Sequence, residues 1–375
     1  MKRRFKIKIN GESPRSLYLA YVLSKLSCDV YIFNLLRDSN SKKDHQIFLF
    51  SNSSKNLLSK FNIWNEIEDI SYAFNSLIIK DNLVSDQLLI RTENFSKKCL
   101  NTIGWIVKYS DFKNLLLNKL TNSDNVYFIS KNQLIDESLV FDYEFNFNVY
   151  NISRNLFKLN LSNFKRIDEQ LLIFNVYLRG HYKKRLYEIN TTRGLLVLTP
   201  LNENLYQLVW NCSSFRIKEN SLISKSLLID NLTTLLPNEI KIDEIIGDIN
   251  ILRKSNMHSN YLIKNNSIHF NENKFKSNII YNFNFDIIVR IILEIYNYFE
   301  NNRHNKYIVL NKVLFYYFLR KYVEIKLNFS FANFLFYLLK LNNGFLLYFR
   351  KLLFTLLKRI NLMNIPIIGK LNFPL

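Results

Sequence analysis

Phe5-Lys6-Ile7-Lys8-Ile9-Asn10-Gly11-Glu12-Ser13-Pro14-Arg15-Ser16-Leu17 is the segment from which the rest of the chain can be laid out. Phe5 to Ile9 alternate apolar and charged residues, the period of a strand with one covered face, and Asn10 to Ser16 supply the turn. Leu17 to Leu26 then carry apolar residues at helical spacing, and Asp29 to Phe33 return as a second strand. Strand, tight turn, helix and strand make the opening unit of a dinucleotide-binding domain. In such a turn the first glycine permits the bend, the second lets backbone approach a pyrophosphate, and the third allows close packing of helix on strand. Here Gly11, Ser13 and Ser16 hold those positions. Serine can donate a hydrogen bond to a phosphate, but its β-carbon keeps it out of the φ > 0 region that glycine enters freely.

The 375 residues, 48% of them hydrophobic, suffice for a large core in two joined lobes. Only seven glycines occur, and Ala20, Ala73 and Ala332 are the only alanines; Asn, Ile, Lys, Phe, Tyr and Leu, all with AT-rich codons, dominate instead. Nucleotide bias therefore accounts for part of the lysine excess behind the net charge of +20. The lysines are dispersed, without a block of five or six like charges, so the charge does not point to nucleic acid. Cys28, Cys99 and Cys212 are too far apart for a paired-cysteine zinc site and odd in number, which argues for reduced thiols. His181 and His258 have no metal-ligand spacing, and Asp243 and Glu244, being adjacent, face different directions. The basic amino terminus lacks a signal-peptide core and no run of eighteen apolar residues occurs, so the expectation is a cytoplasmic protein, soluble or peripheral on the inner face of a membrane.

Along the chain, Ser53 to Phe61 predict a helix ending at Trp64, and Ser76 to Thr92 a hairpin of a second sheet. Ser110 or Asp111 is expected to cap a helix through Leu120, and Val126 to Ile129 to form a strand. Leu171–Leu178, Leu186–Ile189, Gly194–Leu198 and Tyr206–Trp210 read as consecutive strands of an inserted antiparallel sheet, followed by a helix within 219–236. From Ile287 onward the pattern is helical: 287–299, 309–329 and 331–360, broken near Asn342-Asn343-Gly344. The last helices mix Phe, Leu and Tyr with Lys and Arg; they either layer onto the sheet or lie on an anionic bilayer. Trp64, Trp105 and Trp210 read as core aromatics.

Taken in order, these pieces resemble the 2-polyprenylphenol hydroxylase family, the flavin-dependent aromatic hydroxylases of ubiquinone biosynthesis. The resemblance rests on Gly11-Glu12-Ser13-Pro14-Arg15-Ser16-Leu17, on Gln46 through Ser54 and Leu57 through Trp64, on Ile103-Gly104-Trp105 through Phe112, and on Gly194 through Leu201 with Tyr206 through Trp210. It implies an α/β fold with a Rossmann-like FAD-binding domain of the para-hydroxybenzoate-hydroxylase type, an inserted antiparallel substrate sheet and a helical C-terminal region. The segments implied are 1–75, 101–165 and 261–300 for the nucleotide domain, 76–100 and 166–260 for the substrate sheet, and 301–375 for basic amphipathic helices.

The resemblance also places site residues. Asn34 stands where the family has an acidic residue that accepts from a ribose hydroxyl pair, and Gln46 where it has an arginine near the flavin. His269 falls in the stretch whose aspartate binds the ribityl chain, and Asp286 matches the aspartate closing the following motif. The middle Asp-Gly motif is not recognisable around Phe147 to Ser153. Implied cofactors are FAD and, as electron donor, NAD(P)H; the implied reaction hydroxylates a polyprenylated phenol through a flavin peroxide, chemistry that the cofactor supplies. No side chain can be assigned as the catalytic acid or base. Two classes of function follow: a divergent flavin hydroxylase, or a flavin-free scaffold or lipid-binding subunit in a membrane-peripheral assembly with other quinone-biosynthesis proteins.

Overall fold

The computed structural model describes residues 4–26, 28–33, 46–92, 101–129, 139–147, 170–180, 184–212, 224–253, 262–264, 267–269, 284–301 and 344–359. β1 (Phe5–Asn10) leads into α1 (Pro14–Ser24), and β2 (Cys28–Phe33) returns parallel to β1, with Phe5 opposite Cys28 and Asn10 opposite Phe33. Ile7 and Ile9 are buried and Lys6, Lys8 and Asn10 half-buried, the covered-face alternation expected from the sequence. α1 is buried almost all round, from Leu17 through Leu23, because helices pack on two of its sides. These are α4 (Tyr109–Thr121) and α6 (Asn284–Asn301).

β8 (Val126–Ile129) extends the sheet beyond β2, and β9 (Tyr143–Asn146) pairs with β1 from the other side, both in parallel. β16 (Ser267–His269) follows β9, and β15 (Leu262–Lys264) closes the edge antiparallel, giving the order β15-β16-β9-β1-β2-β8. A small antiparallel sheet stands beside it: β3 (Ile47–Ser51), β7 (Gly104–Lys108) and β4 (Tyr72–Phe74), in the order β3-β7-β4.

The third sheet has seven strands. β5 (Ser76–Asp81) and β6 (Asp86–Arg91) form the expected hairpin at one edge, and β10 (Gln170–Arg179), β11 (Arg185–Thr191), β12 (Gly194–Pro200), β13 (Leu205–Cys212) and β14 (Lys241–Arg253) complete the order β14-β10-β13-β12-β11-β5-β6. All neighbours are antiparallel except β11 and β5. One face forms a core with α5 (Lys225–Leu235), in which Leu228, Leu232 and Leu235 join Phe174, Leu208 and Trp210. On the opposite face Leu88, Ile90, Leu186 and Val197 cluster with Ile47, Leu49, Phe74 and Ile106 of the small sheet and with Phe354 of α7 (Gly344–Arg359).

Several local expectations change. The helix after β3 is α2 (Asn52–Ser59); Asn62 then takes a left-handed conformation at φ 57°, so Trp64 begins α3 (Trp64–Asp69) instead of ending a helix. Neither Ser110 nor Asp111 caps α4: the helix starts at Tyr109 and Ser110 donates to the Asp111 carboxylate at 3.0 Å. β14 extends the strand run past Trp210. Its apolar phase is broken where its register against β10 shifts, and Gly247 sits at φ 70°. The three tryptophans are buried as expected, with Trp64 Nε1 donating to Glu68 at 2.9 Å, and Cys28 is buried. The segment 309–329 lies outside the described residues.

Candidate functional site

Gly11 follows β1 with φ 134°, a conformation open to glycine, and its N–H donates to the Phe33 carbonyl at 3.2 Å. That bond ties the turn to the end of β2. Ser13 is the N-cap of α1, accepting the Ser16 N–H on Oγ at 3.3 Å, and Pro14 occupies the first helical turn, where its missing N–H costs nothing. Ser16, fully buried, donates its hydroxyl to the Ser13 carbonyl at 2.8 Å. The first turn of α1 has no acidic residue, which leaves the positive end of the helix dipole uncompensated from within the helix. Glu12, just outside, is paired with Lys113 of α4 at 3.3 Å. The Arg15 guanidinium lies 5.9 Å from the Phe48 ring, over the strand that begins after Gln46.

The parallel register brings distant residues to the same sheet edge. Asn10 is opposite Asn146, and Asn146 is opposite His269, so the carboxyl ends of β1, β9 and β16 stand side by side next to Gly11. Asn10 Nδ2 donates to Glu144 Oε1 at 2.6 Å and to Asn146 Oδ1 at 2.5 Å, and Lys8 pairs with Glu144 at 3.3 Å. His269 Nε2 is 3.2 Å from the Ser267 hydroxyl, whereas Nδ1 is buried without a hydrogen-bond partner among the described residues. Desolvation pulls the His269 pKa below its ordinary value, opposed by Glu144, so the ring is neutral at neutral pH.

The remaining residues singled out in the sequence are less gathered. Gln46 precedes β3, half-buried, and its carbonyl accepts the Tyr109 N–H at 2.8 Å. Asn34 lies outside the described residues, one position beyond the end of β2. Asp286 falls in the first turn of α6, whose Arg290 donates to Ser53 Oγ at 2.9 Å and so joins α6 to α2. Arg15, Glu144 and Asn146 were not singled out, because nothing local marks them. Their significance comes from register.

A second polar group, also unmarked in the sequence, lies on the face of the seven-stranded sheet turned away from α5. Ile173, Val209, Val197, Glu188, Ile79 and Leu88 form one row across the strands, and Asn175, Gln207 and Thr199 lie two residues along. Glu188 is 3% exposed. Its Oε2, Thr199 Oγ1 and Asn175 Oδ1 are buried with no partner among the described residues. Burial pushes the Glu188 carboxyl up to about 8, so it is predominantly protonated at pH 7 and can donate as well as accept a hydrogen bond. In the sequence, Leu186-Tyr187-Glu188-Ile189-Asn190 reads as a strand with a wet face. Only the second layer dries it.

Among the described residues no three His, Cys, Asp or Glu side chains are grouped to hold a metal ion, and no helix is long and apolar enough to cross a membrane. No protein-family model and no curated protein sequence matches the chain. Solved structures do. p-Nitrophenol 4-monooxygenase PnpA from Pseudomonas putida DLL-E4 superposes with a TM-score of 0.70 at 14% identity, covering 99% of this chain and 98% of its own. The two chains share one fold. PqsL of Pseudomonas aeruginosa, described as a probable FAD-dependent monooxygenase, gives 0.65 at 12% identity over 90% and 97% of the two chains. Klebsiella pneumoniae HpxO, solved with FAD and uric acid, gives 0.64 at 9% over 99% and 97%. Among the described residues, this shared fold comprises the parallel sheet, the inserted antiparallel sheet and the C-terminal helices α6 and α7, as expected from the sequence.

Proposed function

We propose that this protein binds FAD and hydroxylates an aromatic ring, with a polyprenylated phenol as substrate and NAD(P)H as electron donor. The observation that carries the reading is the Gly11 turn, set between the carboxyl end of β1 and an α1 first turn without acidic residues, with the neighbouring Glu12 paired to Lys113, in a fold shared with a monooxygenase. The residues there fit a dinucleotide. The helix end suits phosphate oxygens, Arg15 adds a cation beside it, and the partnerless Nδ1 of His269 at the same sheet edge suits a sugar or ribityl hydroxyl. Against this, Ser13 Oγ already occupies the Ser16 N–H, which makes the grip weaker than that of a glycine turn.

FAD, when bound, supplies the electron-transfer and oxygen chemistry. The chain's own contribution is to hold the ring and its proton. On the substrate sheet, Glu188 Oε2 and Thr199 Oγ1 offer buried polar contacts to a phenolic hydroxyl, and the apolar rows around them suit an alkyl chain. A protonated Glu188 keeps the phenol hydrogen-bonded; once ionised, it can take the proton that leaves the phenol oxygen.

The test is the visible absorbance of the purified protein with and without added FAD, followed by NAD(P)H oxidation with a prenylated phenol. Stoichiometric flavin and a product one oxygen atom heavier are expected. Failure to bind at saturating FAD would replace this reading with the flavin-free scaffold. Turnover of simple phenols with no preference for the prenylated one would remove the substrate assignment alone.

A further inference from the structure

α7 has two faces with opposite surroundings. Arg350, fully buried, donates through Nη1 to Asp81 Oδ2 at 2.8 Å; Phe354, 4% exposed, enters the core cluster of Leu88, Ile90 and Leu186; and Lys358 pairs with Asp86. These residues, four apart, define the inner face. Phe345 at 77% exposure, Tyr348 at 72%, Leu356 at 46%, Leu352 at 45% and Phe349 at 37% form the outer one. With 3.6 residues per turn, the two sets lie about 180° apart. Five large apolar side chains in one exposed stripe are not the scattered surface residues of an ordinary helix.

The buried Arg350–Asp81 pair stops the helix from rolling to hide that stripe, because any rotation would strand a desolvated charge. The sequence of α7 contains two lysines, two arginines and no carboxylate, and Lys351 is exposed beside the stripe. A second copy of this chain, itself carrying +20, would oppose the same basic residues to one another. An anionic bilayer complements both features, taking the apolar face into its acyl boundary and Lys351 at its headgroups. We propose that α7 is an interfacial anchor that seats this protein on an anionic lipid surface through Phe345, Tyr348, Phe349, Leu352 and Leu356. The inference is independent of FAD binding.

Sedimentation of the full chain with vesicles of phosphatidylcholine alone, or with roughly one third phosphatidylglycerol, tests it. The wild type is expected to sediment with the anionic vesicles and to be released by salt. Combined Phe345→Ser, Leu352→Ser and Leu356→Ser should weaken sedimentation at least tenfold with an unchanged melting temperature, since these side chains are exposed, and Lys351→Glu should weaken it on anionic vesicles. Absence of wild-type sedimentation, or equal sedimentation of the triple variant, would overturn the proposal. So would a lipid-free dimer that the triple variant converts to monomer, because the stripe would then be a self-contact.

Discussion

Ser16 donates its hydroxyl to the Ser13 carbonyl at 2.8 Å while its own N–H meets Ser13 Oγ at 3.3 Å. The two serines at glycine positions thus close the end of α1 on itself, and the hydroxyl of Ser13 takes an N–H that a phosphate would otherwise receive. Ser13 has φ −71°, which any residue adopts, so glycine is not required there for the backbone.

Ser13→Gly is therefore expected to strengthen FAD binding about tenfold, equivalent to ~1.4 kcal/mol. Replacing a serine cap by glycine costs only a few tenths of a kcal/mol of stability. Ser13→Asp should act oppositely, reinforcing the cap while repelling phosphate. Flavin fluorescence titration reads both; weaker binding by the glycine variant would mean that the hydroxyl itself is a ligand.

Glu188→Gln is expected to raise stability at neutral pH. The folded carboxyl titrates near 8, well above its unfolded value, so between those values the native state holds more protons and stability falls as pH rises. The penalty is absent below the unfolded pKa and reaches its full size above about 8; at pH 7 it is about 3 kcal/mol. Urea unfolding at pH 5 and pH 8 should show that slope in the wild type and its loss in the variant. A parallel pH dependence in both would mean that Glu188 is not the group responsible.

Arg350→Met should destabilise the protein by about 3–5 kcal/mol, because Asp81 is left buried and charged with only the Leu83 N–H at 3.0 Å from the described contacts as compensation. Combining it with Asp81→Leu should recover most of the loss. Denaturant midpoints of the single and double variants make the comparison.

Gly104→Ala is expected to cost roughly 1–3 kcal/mol. An added Cβ would lie 2.7 Å from the Phe50 carbonyl oxygen and 3.0 Å from the Phe74 ring, so β3 or β4 must move away from β7. A melting temperature equal to that of the wild type would contradict this packing.

Much of the fold was legible because it depends on local period. The alternation of Phe5 to Ile9, the helical spacing after Pro14, the 76–92 hairpin and the strands from Leu171 to Trp210 each announce themselves within a few residues. β14 did not, because its bulged register breaks the alternation that would reveal it, and Asn62 ended α2 by a left-handed turn that apolar patterning does not register. Of the candidate site, Gly11, Ser13 and Ser16 were legible as one turn. His269 was placed by resemblance, and its closeness to that turn came from the sheet.

Residue order and chemistry alone thus specified the elements, the turn at Gly11 and the absence of its companion glycines, since strand and helix periods and φ preferences are properties of short segments. The packed molecule decided which residues share a site. Asn10 meets Asn146 across 136 positions, Glu188 becomes neutral because a second layer covers its strand, and α7 exposes Phe345 and Tyr348 because Arg350 is held at Asp81. Register and burial arise only when distant segments meet, and no local pattern encodes them.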